Sequence, residues 1–374
     1  MRIALVLAGP FPALRGSQVL VEQLATGLGA RGHAVRLVTY GAGGDDLPGP
    51  QLARVGRDLR LVARLWRVVR REAIDVIHAH NYEAALAGLV VSRTTGRPLV
   101  YHGHNAMADE LPTYFRGAAA RRLARVVGRT LDAHVPRRAD FCIAVSPELH
   151  DILRRRGVAA AGVACISPAG TPRELGPRPA PAPGDGFVCY AGNLDGYQNL
   201  DFLRRSFAHV RAAVPRARLV FVTHPGARPR PEPAEGMEVV EARSYEEVRA
   251  RLAAADVAVC PRAEPSGFPM KLLNYMAAGK AIVACAGSAK GLRDGETARV
   301  VPDGDERAFA AAVVELLTDA TVRDRLGAAA RRAVEDPRAW ERVLDRIEQI
   351  YRTVLAARGA ASVGGGAPVL AGTE

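Results

Sequence analysis

One segment of the chain joins a Gly/Pro turn to a short apolar helix pattern that carries Lys271 in its first turn; it reads SGFPMKLLNYMAAGK at positions 266–280. Backbone N–H groups at a helix start lack partners within the helix, and the helix dipole makes that end positive. Together with Lys271, these groups would form a site for a diphosphate. The spacing fits equally well a turn and a core helix whose lysine is solvated.

The composition favours an anionic partner. The chain has 374 residues, which is enough for two domains, and its formal net charge is +12. Such a charge suits nucleotides, phosphates or acidic lipid head groups. The sequence lacks zinc-type cysteine pairs and interleaved basic and aromatic runs, so no nucleic-acid partner is expected.

Cysteines and apolar runs bear on the compartment. The five cysteines are far apart in sequence and lie in or near apolar runs, which predicts buried thiols in a reducing compartment. The apolar run at 1–7 is too short for a signal peptide or a membrane span, and no other stretch reaches spanning length. We therefore expect a cytoplasmic protein.

Two stretches with arginines at helical spacing predict basic helices. Such helices would suit an anionic membrane surface, and so a peripheral location at the inner membrane face, or a lipid-linked acceptor. Solvated arginine faces on core-packed helices are the slightly favoured alternative, since charged helix faces are common. The arginines are Arg60, Arg64, Arg67 and Arg71 in the first stretch, and Arg121, Arg125 and Arg129 in the second.

Apolar β-type runs alternate with helical patterns almost throughout. This alternation predicts βαβ units and parallel sheets with helices on both faces. A Pro/Gly-rich stretch that cannot continue a helix or a central strand interrupts it at 173–186. We interpret the chain as an α/β protein with a Rossmann-like domain at 1–172, a linker at 173–186, a second Rossmann-like domain at 187–336, a closing helix at 337–358 and a disordered tail at 359–374.

The predicted strands can be stated by position. In the first half they lie at 2–7, 34–39, 74–78, 98–102 and 141–145. In the second half they lie at 187–191, 217–223, 238–240, 257–260 and 281–284.

A glycine string at 27–32, GLGARG, matches the dinucleotide-binding fingerprint only as a string. That fingerprint must follow a strand and open a helix. Here the glycines end a predicted helix and precede a strand, so they are helix-stop residues. A nicotinamide dehydrogenase therefore loses most of its support.

Two Rossmann-like halves, a linker and a closing helix together resemble a GT-B glycosyltransferase, in which two domains face a cleft and the C-terminal helix crosses back to the N-terminal domain. Four local motifs are the opening GPFPALRGSQVLVEQLATGLGARGHAVRLVTY, DVIHAHN at 75–81, RRADFCIAVS at 137–146 and the segment 266–279. Together they resemble glycosyltransferase family 4, which has a two-glutamate motif followed by M-A-x-G where the last segment lies. The resemblance covers nearly the whole chain apart from the tail.

The resemblance implies a retaining transfer of a sugar from a nucleotide-diphosphate donor, UDP- or GDP-linked. It implies that the donor lies in the cleft, mostly on the C-terminal half, and that neither a metal nor another cofactor is required. The acceptor would be a glycan, a glycolipid or a small molecule. Catalysis would then consist largely of stabilising charge that builds up on the leaving diphosphate.

The resemblance also implies roles for particular residues. Lys271 would bind the diphosphate; its alternative role is a surface lysine. Gly16 and Ser17 stand where the family has a Gly-Gly pair whose N–H groups approach the donor. His104 matches the histidine that faces the transferred sugar, and His102 is its rival. We predict His104 and Lys271 as catalytic residues, with Asp109 and Glu110 as further loop candidates.

This chain departs from the family at four positions. Asn193 and Gln198 replace an arginine and a lysine that bind phosphate, while Ser266 and Asn274 replace the two glutamates. Asn274 would still hydrogen-bond ribose hydroxyls, because an amide both donates and accepts. Ser266 would contact the sugar, and Glu264 would supply a substitute carboxylate. The remaining donor-binding candidates are Gly267, Phe268 and Pro269.

Two alternatives stay open. The replaced positions motivate a non-catalytic GT-B protein that binds a nucleotide or glycan, or that serves as a partner subunit. A GT-B epimerase or phosphorylase is the third hypothesis. A phosphorylase is disfavoured, because no lysine for pyridoxal phosphate stands out. The chain also resembles a family subset with Y-Q-x-L-D and P-x-K-L-x-x-Y-M-A-x-G-K patterns, which argues against a degenerate site.

Overall fold

Two six-stranded parallel sheets form the two halves of the chain in the computed structural model. The structure describes residues 1–12, 15–41, 52–170, 186–227, 231–232, 234–263, 266–336 and 338–363. The central strands are buried on both faces and read as nearly continuous apolar runs, as parallel sheets covered by helices require. This arrangement confirms the predicted α/β fold with two Rossmann-like domains.

The N-terminal sheet has the order β2-β1-β3-β4-β5-β6. Its strands are β1 (Arg2–Leu7), β2 (Ala34–Val38), β3 (Val76–His80), β4 (Leu99–Gly103), β5 (Phe141–Ala144) and β6 (Val163–Cys165). Its helices are α1 (Gly16–Ala30), α2 (Leu52–Arg71), α3 (Tyr82–Thr95), α4 (Met107–Glu110), α5 (Ala118–His134) and α6 (Pro147–Arg155).

The C-terminal sheet has the order β12-β11-β10-β7-β8-β9. Its strands are β7 (Phe187–Ala191), β8 (Arg218–Thr223), β9 (Met237–Glu241), β10 (Val257–Cys260), β11 (Ala281–Cys285) and β12 (Arg299–Val301). Its helices are α7 (Leu200–Ala213), α8 (Tyr245–Ala254), α9 (Lys271–Ala277), α10 (Glu306–Thr318) and α11 (Ala320–Val334), and the chain continues into α12 (Ala339–Val363).

Helix α12 returns to the N-terminal domain, as predicted. Trp340, Ile347 and Tyr351 are buried in the same apolar cluster as β1 and α1. Gly27 allows the close approach of α1 to α12, because a Cβ at this position would lie 2.8 Å from the Leu344 side chain. Gly27 thus lies within α1 and faces α12, while Gly32, at φ +82°, follows the helix end.

Some predicted boundaries differ from those in the structure. Strand β3 begins two residues later than the predicted 74–78. The three-residue strands β6 and β12 were not predicted, because edge strands this short carry little pattern. Helix α12 extends to Val363, so the first residues of the predicted tail are helical. Positions 173–185 of the predicted linker and 364–374 of the tail lie outside the described residues.

All five cysteines are free, and all but the half-buried Cys165 are buried. Within the described ranges, every helix falls short of the length and apolar character that a membrane span requires.

Candidate functional site between the two sheets

A cavity of about 450 Å³ lies between the two domains. It is lined where parallel strands end at their carboxyl termini, which is the usual ligand position in such sheets. The N-terminal domain contributes the segments after β1, β3 and β4, and the C-terminal domain contributes the segments after β7 and β10. The lining residues include Arg15, Gly16, Ser17, Asn81, Glu83, His104, Asn105, Glu110, Asn193, Asp195, Tyr197, Arg262, Phe268 and Met270.

Predicted donor-side residues of the first loop do lie in this cavity. Gly16 and Ser17 open α1 and line the cavity wall. A Cβ at Gly16 would lie 3.3 Å from the Met270 side chain, so the loop approaches the C-terminal domain closely. Beside them, Arg15 forms an ion pair with Asp195 of the other domain, and both side chains are largely buried.

A cluster of four histidines lies at the carboxyl ends of β3 and β4: His78 and His80 in β3, His102 in β4, and His104 just after β4. His78 shares hydrogen bonds with the Tyr351 hydroxyl (2.6 Å) and with His102 Nδ1 (3.1 Å). His80 Nδ1 lies 3.1 Å from His104 Nε2, and of the four only His104 lines the cavity. Burial lowers the pKa of His104 to about 4 and that of His78 to about 3. All four rings are therefore neutral near pH 7, and His104 is the one that can meet a ligand.

Three of these histidines have ring nitrogens close enough for a shared metal ion to be considered. One nitrogen from each of His78, His80 and His102 lies within 4.8 Å of the others. The rings are stacked, however, with His78 and His102 only 2° from parallel. Both ring nitrogens of His78 are taken up in hydrogen bonds, one to the Tyr351 hydroxyl and one to His102, so neither is left to bind an ion. The geometry favours a hydrogen-bonded cluster in which His102 is structural.

Lys271 lies beside the cavity on the C-terminal side. Its ammonium donates to the Tyr190 hydroxyl (2.8 Å) and to Gln198 Oε1 (2.7 Å), and it lies 4.0 Å from the centre of the Tyr190 ring. Gly192 permits this position, because a Cβ there would lie 3.0 Å from Lys271 Nζ. Burial lowers the pKa of Lys271 to about 8. The ammonium is thus held next to Gln198, where the family's lysine would stand.

The two replaced basic positions belong to one hydrogen-bond network. Gln198 Nε2 donates to Asn193 Oδ1 (2.7 Å), and Asn193 Nδ2 donates to the Tyr197 hydroxyl (2.9 Å). Asn193 and Tyr197 line the cavity, whereas Gln198 is buried behind them. The network connects Lys271 to the cavity wall through neutral side chains.

Ser266 joins the two domains rather than lining the cavity. It is 1% exposed, its hydroxyl accepts from Ala106 N (3.1 Å), and its carbonyl accepts from the Ser146 hydroxyl (3.2 Å). The next residue, Gly267, has no room for a side chain, because a Cβ would lie 1.9 Å from Asn105 Oδ1. Ser266 is therefore engaged in domain contact, and its predicted contact with the sugar has no support from its position.

The rest of the segment is divided between the cavity and the core. Phe268 lines the cavity, and Pro269 lies two residues before the start of α9. Asn274 is half-buried on α9, where its Oδ1 accepts from the Tyr245 hydroxyl (3.1 Å). Glu264 lies outside the described residues.

Arg262 is a site residue that the sequence did not single out. It follows the carboxyl end of β10, is 5% exposed and lines the cavity. Its guanidinium donates to Asn105 Oδ1 (3.0 Å) across the cleft and lies 5.1 Å from the centre of the Tyr197 ring. The signal that the sequence offered for Arg262 was its position just after a predicted central strand. Asp195 lacked any signal, since its partner Arg15 is 180 residues away.

The predicted basic helices are α2 and α5, and both carry exposed apolar side chains. In α5 the exposed Arg121, Arg125 and Arg129 accompany Leu123 (66% exposed) and Val127 (44% exposed). In α2 the predicted arginines are likewise exposed, and Leu59 and Trp66 are exposed beside them. The apolar residues next to the arginines therefore do not all pack into the core.

Two facing parallel-sheet domains with a cleft cavity and a returning C-terminal helix define a GT-B protein. Residues 14–169 match the model of Glycosyltransferase Family 4, and residues 186–319 match that of Glycosyl transferases group 1. Both halves of the chain thus match glycosyltransferase models, and the chain is a glycosyltransferase of the family 4 and group 1 type, as the sequence motifs predicted.

Curated relatives align along nearly their whole length. A phosphatidyl-myo-inositol mannosyltransferase of Mycobacterium leprae is 28% identical, over 95% of this chain and 97% of the relative. A D-inositol 3-phosphate glycosyltransferase of Kineococcus radiotolerans is 25% identical, over 92% of both chains. Among solved structures, a sucrose-phosphate synthase from Thermosynechococcus elongatus superposes with a TM-score of 0.77 at 20% identity, over 96% of this chain and 100% of its own. Anabaena HepE in complex with UDP-glucose gives a TM-score of 0.71 at 15% identity, over 94% of this chain and 100% of its own.

Proposed function

We propose that this glycosyltransferase moves a sugar from a UDP- or GDP-linked donor, with retention of configuration and without a metal, to a phosphorylated inositol head group on a lipid. The cavity between the domains carries the proposal, because its C-terminal side has Arg262 at the wall and Lys271 behind it. Its N-terminal side combines carboxylates, Glu83 and Glu110, with the arginines Arg15 and Arg54. Cations would stabilise the diphosphate of the donor, and carboxylates would accept hydrogen bonds from the hydroxyls of a polyol acceptor.

The C-terminal wall suits the donor. Lys271 lies behind Asn193, and Arg262 lines the cavity directly. Preorganised cations in a buried site stabilise charge that develops on a leaving group far better than exposed ones do. We assign the diphosphate to this wall and the transferred sugar to the side of His104, which lines the opposite wall.

The N-terminal wall suits a phosphorylated polyol. Asn81, Glu83 and Glu110 line it with hydrogen-bonding groups, and Arg54 adds a cation. Carboxylates accept hydrogen bonds from neighbouring sugar or inositol hydroxyls, while arginine is suited to phosphate. The names of the relatives, one acting on phosphatidyl-myo-inositol and one on inositol 3-phosphate, agree with this chemistry.

A lipid-borne acceptor fits the surface around the cavity. Leu86 and Val127 line the cavity and are also about half exposed (46% and 44%), so an apolar surface leads from the cavity to α3 and α5. The exposed arginines of α2 and α5 would contact anionic head groups beside it. We therefore place the acceptor's acyl chains at this rim, with the enzyme at the membrane surface.

The alternative is a non-catalytic nucleotide- or glycan-binding protein. It is favoured by Ser266, whose hydroxyl is taken up in contact between the domains where the family has a glutamate. Transfer assays separate the two functions. Purified protein would be incubated with UDP-, GDP- and ADP-sugars and with phosphatidylinositol vesicles, soluble inositol phosphate or short glycans. The anomer of any product would be assigned by NMR, in the presence and absence of a chelator.

We expect transfer to the vesicle acceptor, an α-linked product from an α-linked donor, no effect of the chelator, and a strong loss in Lys271→Ala. Nucleotide binding without turnover on any acceptor, unchanged in Lys271→Ala, would support the alternative. If the sugar is transferred to soluble inositol phosphate but not to the vesicles, the acceptor is the inositol phosphate head group and the lipid part of the proposal is wrong.

Membrane attachment has its own test. Vesicle co-sedimentation should weaken when three arginines of α5 are changed to glutamine, and it should do so only with anionic lipid. A matched variant removes the same charge from the other domain. The test variant changes Arg121, Arg125 and Arg129, and the control changes Arg325, Arg332 and Arg338, all of them exposed.

A further inference from the structure

The C-terminal wall of the cavity contains a buried arginine close to the position at which the family's phosphate-binding arginine is replaced. Arg262 follows β10, and β10 pairs with β7 in the sheet. Asn193, which replaces the phosphate-binding arginine of the family, follows β7. Adjacent parallel strands end at the same edge, so residues 193 and 262 lie at neighbouring strand ends.

Contacts around Tyr197 bring these two positions together. Asn193 donates to the Tyr197 hydroxyl (2.9 Å), and the Arg262 guanidinium lies 5.1 Å from the centre of the same ring. All three residues line the cavity. The Tyr197 ring and the Asn105 amide hold the Arg262 guanidinium in orientation at the cavity wall, and a planar guanidinium is well suited to bind the oxygens of a phosphate.

We propose that Arg262 binds the diphosphate of the donor and replaces the arginine that is absent at Asn193. The positive charge has moved from the end of one strand to the end of its neighbour. This assignment rests on the proposed function, because it requires a nucleotide-diphosphate ligand in the cavity.

Arg262 also reaches the acceptor side. It donates to Asn105 Oδ1 (3.0 Å), and Asn105 Nδ2 donates in turn to Glu110 Oε2 (2.8 Å) on the N-terminal wall. The residue that binds the leaving group is thus hydrogen-bonded across the cleft to a carboxylate of the acceptor wall. Loss of the Arg262 side chain should therefore lower kcat as well as donor affinity.

Nucleotide binding tests the assignment directly. Isothermal titration would measure UDP, GDP and their nucleosides, uridine and guanosine, on wild type, Arg262→Met, Arg262→Lys and Arg262→Met/Asn193→Arg. Arg262→Met should weaken nucleoside diphosphate binding at least tenfold and leave nucleoside binding unchanged. Arg262→Lys should be intermediate, because it keeps the charge but loses the planar fork. The double variant should recover most of the lost affinity.

The outcomes separate this inference from the proposed function. If wild type binds neither nucleoside diphosphate, the proposed function fails. If wild type binds one and Arg262→Met binds it equally well, the assignment of Arg262 is wrong. An equal loss for nucleoside and diphosphate would show a purely structural role and would also overturn it, and thermal denaturation of each variant would report the folding of the protein.

Discussion

Lys271 gives the sharpest test of the donor site, because its pKa of about 8 falls inside an accessible pH range. The pKa is lowered by burial, which disfavours the charged form. If the ammonium holds the diphosphate, only the protonated lysine binds well. Donor affinity should therefore be full below pH 7 and should be lost as the pH rises through 8.

The magnitude follows from the pKa. With the value of about 8, Lys271 is about 90% protonated at pH 7 and about 10% protonated at pH 9. The dissociation constant for a nucleoside diphosphate should then rise about tenfold between these two pH values. Binding at pH 8 should also take up about half a proton per nucleotide. The histidines of the cluster add no change between pH 6 and 9, because burial holds their pKa values well below 6.5.

Calorimetry in two buffers of different ionisation enthalpy measures both quantities. Lys271→Arg is the control, because arginine stays charged throughout this range while every other group titrates as in wild type. The difference between the two pH profiles isolates Lys271. A wild-type profile that is flat from pH 7 to 9, together with full affinity in Lys271→Met, would refute the role of this ammonium in the site.

Two further predictions concern the charge arrangement and the packing. Lys271→Met should lower kcat/KM by about 100- to 1000-fold, which corresponds to about 3 to 4 kcal/mol. Adding Gln198→Lys to this variant should raise kcat/KM again by at least tenfold, because the two side chains are hydrogen-bonded and the new ammonium would lie close to the lost one. Steady-state kinetics measures both effects. Gly128→Ala should destabilise the fold by about 2 kcal/mol or more, because the new Cβ would lie 2.4 Å from Met107 O. The control Gly56→Ala, in open space on α2, should stabilise the fold by up to about 1 kcal/mol. A thermal midpoint unchanged by Gly128→Ala would contradict this packing.

The sequence predicted the elements well because their signals are local. Strands such as β1 and β7 are continuous apolar runs, and helices such as α6 begin at a capping serine, Ser146, whose hydroxyl accepts from Leu149 N. The prediction of Lys271 rested on the same kind of local pattern. Edge strands β6 and β12 escaped it because three residues carry no usable period.

The cross-domain part of the site could not be predicted in this way. Arg15 and Asp195 are 180 residues apart, and Ser266 contacts Ala106 across 160. Such pairs depend on how two sheets face one another, which no periodicity encodes. The same limit explains why Ser266 was expected to contact the sugar. Its alignment with a family glutamate gives its position along the chain, but it does not show which group the smaller serine side chain contacts. Arg262 was not predicted, because the basic positions that the resemblance implies follow β7, whereas Arg262 follows β10.

Two basic residues of the family are replaced by neutral ones in this chain, and the structure bears on whether the donor site still works. A degenerate site would lose cations and leave the wall neutral. Here the ammonium of Lys271 lies 2.7 Å from Gln198, and the guanidinium of Arg262 shares the Tyr197 ring with Asn193. Each neutral substitution therefore has a cation close by, supplied from another element. Keeping a lysine at a lowered pKa and an arginine almost fully buried is costly to stability, which argues for an anionic ligand that offsets the cost. The charge pattern accordingly favours a working donor site over a relic of one.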